Sequence, residues 1–188
     1  FQVDAVPVSE EHLIEHIAYF RAVAEQMSPS PTFFEMNTAI AFRHFEAARV
    51  DVAVIEVGMG GRLDSTNIIM PAAAAITNID LEHTQYLGDT LELIAAEKAG
   101  VIKPGVPLVV GETRPGPLAV ILKKAAECAA PTSLLGRDFK YRLHGDPWRQ
   151  RLDYHGPRLR FRDVPLGLAG RYQGENAAVA LALVEALQ

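Results

Sequence analysis

The hydrophobic pattern changes period several times along the chain. In "SEEHLIEHIAYFRAVAEQM", Leu13, Ile17, Phe20 and Ala24 recur on one face at helical spacing, and Ser9 is placed to cap the N-terminus. After the proline-punctuated loop "SPSPT" at 28–32, "FFEMNTAIAFRHFEAAR" brings Phe34, Ala41, Phe42 and Phe45 close to one stripe, which predicts a second helix. The runs "VDVAVIEV" (50–57), "AAAAITNI" (72–79) and "VPLVV" (106–110) are almost wholly apolar, as in parallel strands covered on both faces. Between the last two, "DTLELIAAEKAGVI" predicts a helix opening at Asp89 or Thr90, and a further helix is expected over 115–129.

Past residue 133 polar and apolar residues alternate, with turns marked by "HGDP" and "HGP". That pattern suggests short antiparallel strands with one wet face, before "GRYQGENAAVALALVEAL" opens a last helix. The expected fold class is α/β: an open, mostly parallel sheet flanked by helices, with a short antiparallel β section near 138–165.

Composition narrows the function classes. At 188 residues and 49% hydrophobic, the chain is long enough for one substantial core. The net charge is −5 and the basic residues form no dense run, so no nucleic-acid partner is expected. The apolar runs are shorter than the ~20 residues that span a bilayer, and the start "FQVDAVPVSEEH" carries no signal core. No membrane association is expected, and the location is expected to be cytoplasmic. The single cysteine, Cys128, cannot form an internal disulfide and is taken as a small apolar helix residue.

Candidate chemistry concentrates where apolar runs stop. "EVGMGGRLDSTN" places Glu56 at the carboxyl end of an expected strand, where ligands bind in open α/β sheets. His83, in "ITNIDLEHT", is expected on the same rim, so a carboxylate and an imidazole could share a metal while Gly58, Gly60 and Gly61 admit close backbone approach. Lys98 has Ala95 and Ile94 one turn back rather than a carboxylate, and a neutral amine there could become a carbamate. Each signal also has an ordinary reading: a glycine turn, a hydrogen-bonded histidine, a local Arg62–Asp64 ion pair, a snorkelling lysine.

Taken together, "EVGMGGRLDSTN", "ITNIDLEHTQYLGDTLELIAAEKAGVIKPGVPLVVGE", "GRYQGENAA" and the upstream "TFFEMNTAIAF" resemble the folylpolyglutamate synthase and dihydrofolate synthase family, the folate branch of the Mur ligase superfamily. The resemblance implies that Glu56 and His83 are Mg2+ ligands and that Lys98 is a carbamylated lysine completing the metal and catalytic set. It implies that Thr32, Phe33, Phe34 and Glu35, together with Leu63, Asp64 and Ser65, line a pterin pocket, and that Asn176 contacts the nucleotide. Tyr172 stands where the family commonly has His, Glu82 where it has Asp, and Ser65 where it has Ala. A neutral imidazole is an atypical ligand for magnesium, which prefers oxygen, so His83 rests on the resemblance more than on coordination chemistry.

The implied activity is an ATP-dependent ligase. A pterin carboxylate attacks the γ-phosphate, and the amine of L-glutamate then displaces phosphate from the acyl phosphate, with dihydropteroate or (tetrahydro)folate as acceptor and a monomer as the expected state. The sequence contains no G-x-x-x-x-G-K-[ST] phosphate loop. The resemblance implies that this loop lies upstream of Phe1 and a further domain downstream of Gln188, so residues 1–188 are expected to be the central ATPase-type domain of a Mur-like ligase, truncated at both ends and inactive by itself. Two other classes are weighed: a non-catalytic folate-binding or scaffold protein on a ligase core, and a metal hydrolase using Asp80, Glu82 and His83. Neighbouring side chains on an extended segment point to opposite faces, which disfavours the latter.

Overall fold

The structure is a computed structural model and describes residues 1–187. It separates into two compact units, residues 1–58 and 59–188.

In the first unit a two-strand antiparallel ribbon, β1 (Gln2–Val3) and β2 (Val6–Pro7), leads into two packed helices, α1 (Glu10–Ala24) and α2 (Phe33–Ala48). Ser9 caps α1 as expected, its hydroxyl accepting the N–H of His12. Thr32 caps α2 through a reciprocal box: its hydroxyl accepts the Glu35 N–H, and the Glu35 carboxylate accepts the Thr32 N–H. The buried faces differ from the expected stripes. Ile17 is exposed on α1, and the enclosed residue is His16, at 4% exposure with neither ring nitrogen hydrogen-bonded. On α2 the buried positions are Thr38 and Ile40, while Phe34 is exposed.

The expected strand at 50–57 is not a strand. The segment carries no β-ladder, and Val54 is 91% exposed. β-Branched residues favour extended backbone, but a ladder also needs a partner, and none is paired to this segment among the described residues.

The second unit is layered. A parallel sheet of β3 (Ala74–Ile76), β4 (Leu108–Val110) and β5 (Thr132–Leu134) lies in the order β3-β4-β5. The short helix α3 (Thr84–Leu87), then α4 (Leu91–Lys98) and a 3-10 turn at Ala99–Val101 connect β3 to β4, and α5 (Pro115–Glu127) connects β4 to β5. Thr90 caps α4 through the Leu93 N–H, one of the two start positions expected. β5 was not anticipated, because "TSLL" is too short to stand out as a run.

The antiparallel section forms as β6 (Lys140–His144), β7 (Arg151–His155) and β8 (Arg160–Pro165), followed by α6 (Tyr172–Ala186). Alternation along β4 divides the core. Leu108 and Val110 join Ile76, Ile94 and Ile121 in one cluster; Val109 joins Phe139, Leu152, Ala178 and Val179 in the other. The parallel sheet is thus covered on both faces, as its continuous apolar runs require. Among the described residues no helix is long and apolar enough to cross a membrane.

Candidate functional site

The glycine-rich loop is built by close backbone contact. Gly60 has φ +66, a conformation that glycine adopts without steric cost. A Cβ on Gly61 would stand 3.0 Å from the carbonyl oxygens of both Glu97 and Lys98, and a Cβ on Gly100 only 2.3 Å from Cα of Arg62. The loop therefore runs directly over the C-terminal end of α4. Arg62 fastens it there: its backbone N–H donates to the Glu97 carbonyl at 2.9 Å, and its guanidinium grips the Glu97 carboxylate at 3.0–3.3 Å. Asn67 donates to the carbonyls of Arg62 and Gly100, and Lys103 Nζ donates to the Asn67 carbonyl.

Asp64 acts locally. Its carboxylate caps the 3-10 turn Ser65–Ile68 by accepting from Thr66 N–H and Oγ1, and it accepts the Met59 N–H as well. Of the three residues expected in this part of a pterin pocket, Leu63 alone presents a largely exposed side chain, at 79%.

Past the carboxyl end of β3, the segment carrying Asp80, Glu82 and His83 is exposed. His83 holds left-handed backbone angles (φ +45, ψ +38) and opens α3 through its carbonyl, which accepts the N–H groups of Tyr86 and Leu87. Its ring is not used for capping. Lys98 Nζ lies 2.5 Å from Glu82 Oε1, so the partner absent one turn back arrives from the β3 rim instead. The lysine also sits in the last turn of α4, where positive charge complements the helix dipole.

Beside this segment is a hub that sequence reasoning missed. Glu112, directly after β4 and with its side chain 2% exposed, accepts N–H bonds from Ile79 (2.8 Å), Thr113 (2.8 Å) and Arg114 (2.7 Å), and takes the Arg114 guanidinium at 2.7–3.0 Å. Burial alone would raise its carboxyl. The Arg114 guanidinium and the backbone N–H donors outweigh that and hold it below the usual carboxylate range. Burial, reinforced by the Glu112 charge and opposed by Arg114, pushes the carboxyl of Glu175 on α6 up. Asn176, the expected nucleotide contact, is exposed next to it and donates to Gln173. The available signal was "VPLVVGE": an acid immediately after an apolar run, the same pattern that drew attention to Glu56.

In the first unit Glu56 is exposed and has no hydrogen-bond or ion-pair partner among the described residues. Thr32 and Glu35 are spent on the α2 cap, whereas Phe33 is 83% exposed. Phe34 covers Gly58 so tightly that a Cβ there would come 2.4 Å from its Cζ.

Comparison with known proteins agrees with this architecture. The Mur ligase middle domain matches residues 11–184. Folylpolyglutamate synthase from Lacticaseibacillus casei is 38% identical over 187 residues, which is 95% of this chain and 43% of that protein. The structure of Mycobacterium tuberculosis folylpolyglutamate synthase complexed with ADP and AMPPCP superposes with TM-score 0.91 at 35% identity, over 98% of this chain and 44% of that one. A folylpolyglutamate synthase–AMPPCP–folate complex gives TM-score 0.92 at 35% identity, over 99% of this chain and 47% of that one. The chain thus spans less than half the length of the relatives it matches. With a sheet covered on both faces, a glycine loop clasped to α4 and a family match over nearly its whole length, the chain belongs to the Mur ligase middle domain family.

Proposed function

We propose that this chain is the central part of an ATP-dependent ligase that joins L-glutamate to the carboxylate of dihydropteroate or of a (tetrahydro)folate through an acyl phosphate. The observation that carries the reading is the loop at 59–68 clasped onto the end of α4. It ties the glycine-arginine-aspartate sequence of the folate branch to the helix bearing Lys98. Relatives named folylpolyglutamate synthase, and solved structures of such enzymes with AMPPCP and folate, support the same reading.

In this reading the chain's own residues act by positioning and charge. The Glu56 carboxylate, exposed and unpaired, is a hard oxygen donor of the kind magnesium takes, and His83 offers an exposed imidazole. Lys98, an ammonium closed by Glu82, has no lone pair to offer in the state described here. Release from Glu82 and loss of a proton would let the Nζ lone pair form a bond to the carbon of carbon dioxide, and loss of a second proton from the nitrogen to solvent would leave a carbamate with two oxygen donors. In the second unit His83 and carbamylated Lys98 would be Mg2+ ligands, and in the first unit Glu56 is assigned the same role by the resemblance; Mg2+ when bound neutralises charge between the carboxylate and the triphosphate. Asn176 would contact the nucleotide, and the exposed Leu63 in the second unit and Phe33 in the first are each assigned to the pterin by the resemblance.

The test is glutamate incorporation by the full-length enzyme. Supplied with ATP, magnesium and labelled glutamate, it should form ADP and a labelled product only when dihydropteroate or a reduced folate is present. Absence of labelled product with every acceptor would sink the ligase reading in favour of a binding or scaffold protein. Since the sequence has no phosphate loop, residues 1–188 alone should form no ADP.

A further inference from the structure

The outer face of the antiparallel sheet gathers cations that are scattered in the sequence. Register places Lys140 opposite His155 and His155 opposite Arg160, one row across three strands. Arg142 stands opposite Asp153 in the next row. Cross-strand partners share a face about 4.8 Å apart, and residues two apart along a strand share it at about 6.6 Å. The ladder between β7 and β8 is irregular at Leu152/Tyr154, and Asp163 there has φ +56. Arg162, two positions from Arg160, lines the same groove by ordinary alternation, while Asp163 at the irregularity reaches His144 and Arg151. The groove is open to solvent and has a volume of about 700 Å³.

Its charges are unbalanced. Among the described residues none of Lys140, Arg142, Arg160 and Arg162 has an acidic partner within ion-pair distance, whereas Arg151 and Arg137 have theirs in Asp163 and Asp138. Asp153, a carboxylate on the same face, accepts the Asp163 N–H. A chain of net charge −5 therefore presents four open cations in a groove whose carboxylates are Asp153 and Asp138, the latter closed by Arg137. The sequence pattern assigned these charges to a solvated face, but solvation alone does not require them to converge.

We propose that this groove binds a small, multiply phosphorylated anion. Three of the four open cations are arginines, whose planar forks take phosphate oxygens in pairs. Arg160 and Arg162 stand two positions apart on β8, about 6.6 Å along the strand, and Lys140 and Arg142 stand across β7 from them, so a chain of linked phosphates, each carrying up to two charges, reaches cations that one isolated anionic group does not. The groove size is that of a small-molecule site. Its open cations lie on β6 and β8 and none of them belongs to the residues assigned above to metal, nucleotide or pterin, so the proposal does not depend on the ligase reading.

Inorganic tripolyphosphate is the probe, titrated calorimetrically into the 188-residue chain in low-salt, magnesium-free buffer. The chain should show one binding event. Arg160→Ala combined with Arg162→Ala should weaken it about tenfold or more, and Arg142→Ala alone should weaken it measurably. Arg149→Ala, which removes one charge outside the groove as Arg142→Ala does inside it, should change it by no more than about twofold. All four are exposed side chains, and circular dichroism verifies that each variant is folded. Absence of heat with the unaltered chain overturns the proposal. So does full binding by the groove variants, which would place the anion elsewhere, and so does a glutamate-rich peptide of matched charge binding as tightly, which would make the recognition indifferent to phosphate.

Discussion

Arg62 and Glu97, 35 residues apart in sequence, are joined twice: backbone N–H to carbonyl at 2.9 Å, and guanidinium to carboxylate at 3.0 Å. One connection depends only on chain path, the other on side-chain chemistry, so the two are separable by mutation. With Arg62 more than half exposed, the side-chain pair contributes only about 0.5–1 kcal/mol to stability. In a double-mutant cycle on urea unfolding, Arg62→Ala and Glu97→Ala should show a coupling of that size. In the full-length enzyme Arg62→Ala should lower kcat/KM far more than stability, because the loop it holds bears the expected pterin-facing residue. Equal small effects on both would reduce the clasp to a surface ion pair.

Close approach at Gly100 is less forgiving. A methyl group 2.3 Å from Cα of Arg62 must push the loop off α4, so Gly100→Ala should destabilise by about 2–3 kcal/mol. Gly167, where an added Cβ meets nothing within 4 Å, is the matched control and should change by no more than about 0.5 kcal/mol. Urea midpoints of the two variants measure the difference.

Glu112 makes stability depend on acid pH. Its carboxyl is held below its ordinary value in the fold, so the unfolded chain takes up the proton first. The contribution is complete above about pH 4.5, the unfolded value, and is lost as pH falls toward the lower folded value. Glu112→Gln turns an acceptor of several N–H groups into a side chain with its own donors, and should cost about 2–4 kcal/mol at neutral pH. The variant's stability should also be flatter than that of the unaltered chain below pH 5. A slope unchanged by the substitution would show that other carboxylates govern the acid limb.

In the α1–α2 pair the sign is the same but the window is higher. Burial, then the charges of His16, His12 and the N-terminus, push His44 below its ordinary pKa. The unfolded state therefore binds the proton more readily, and stability of this pair falls as pH drops below about 6.5. Amide hydrogen exchange on α1 and α2 should quicken between pH 7.5 and 5.5 beyond its intrinsic pH dependence. His44→Phe should reduce that acceleration, and an identical acceleration in the variant would show that His44 does not cause it.

Lys98 separates a catalytic from a merely packed lysine. Lys98→Ala in the full-length enzyme should lower kcat by about 100-fold or more, with partial rescue by formate or acetate supplying oxygen donors in the vacated space. Near-normal turnover without rescue would leave the Glu82 pair as its whole role.

Much of the fold was legible because the deciding forces act within a turn or two. Ser9, Thr32 and Thr90 cap helices through N–H groups three residues on, and the 3.6- and 2-residue periods marked helices and the antiparallel strands where they occur. The glycine loop was legible as a motif, since Gly60 needs a left-handed backbone whatever surrounds it. Residues 50–57 mark where that reasoning fails. Extended backbone is a local preference, and pairing is not, so a β-branched run looks the same in sequence whether or not a ladder forms.

The sequence by itself therefore determined which segments coil or extend, and which chemical groups stand at their ends. Tertiary structure decided what those groups meet. Lys98 meets Glu82, Arg62 meets Glu97, and Glu112 binds the N–H of Ile79, pairs too far apart in sequence for any local period to encode. It also enclosed His16 instead of Ile17, and it drew Lys140, Arg142, Arg160 and Arg162 from two strands onto one groove. Hydrogen bonds and Coulomb interactions act over a few ångströms of space, and only the completed fold sets which distant residues come within that range.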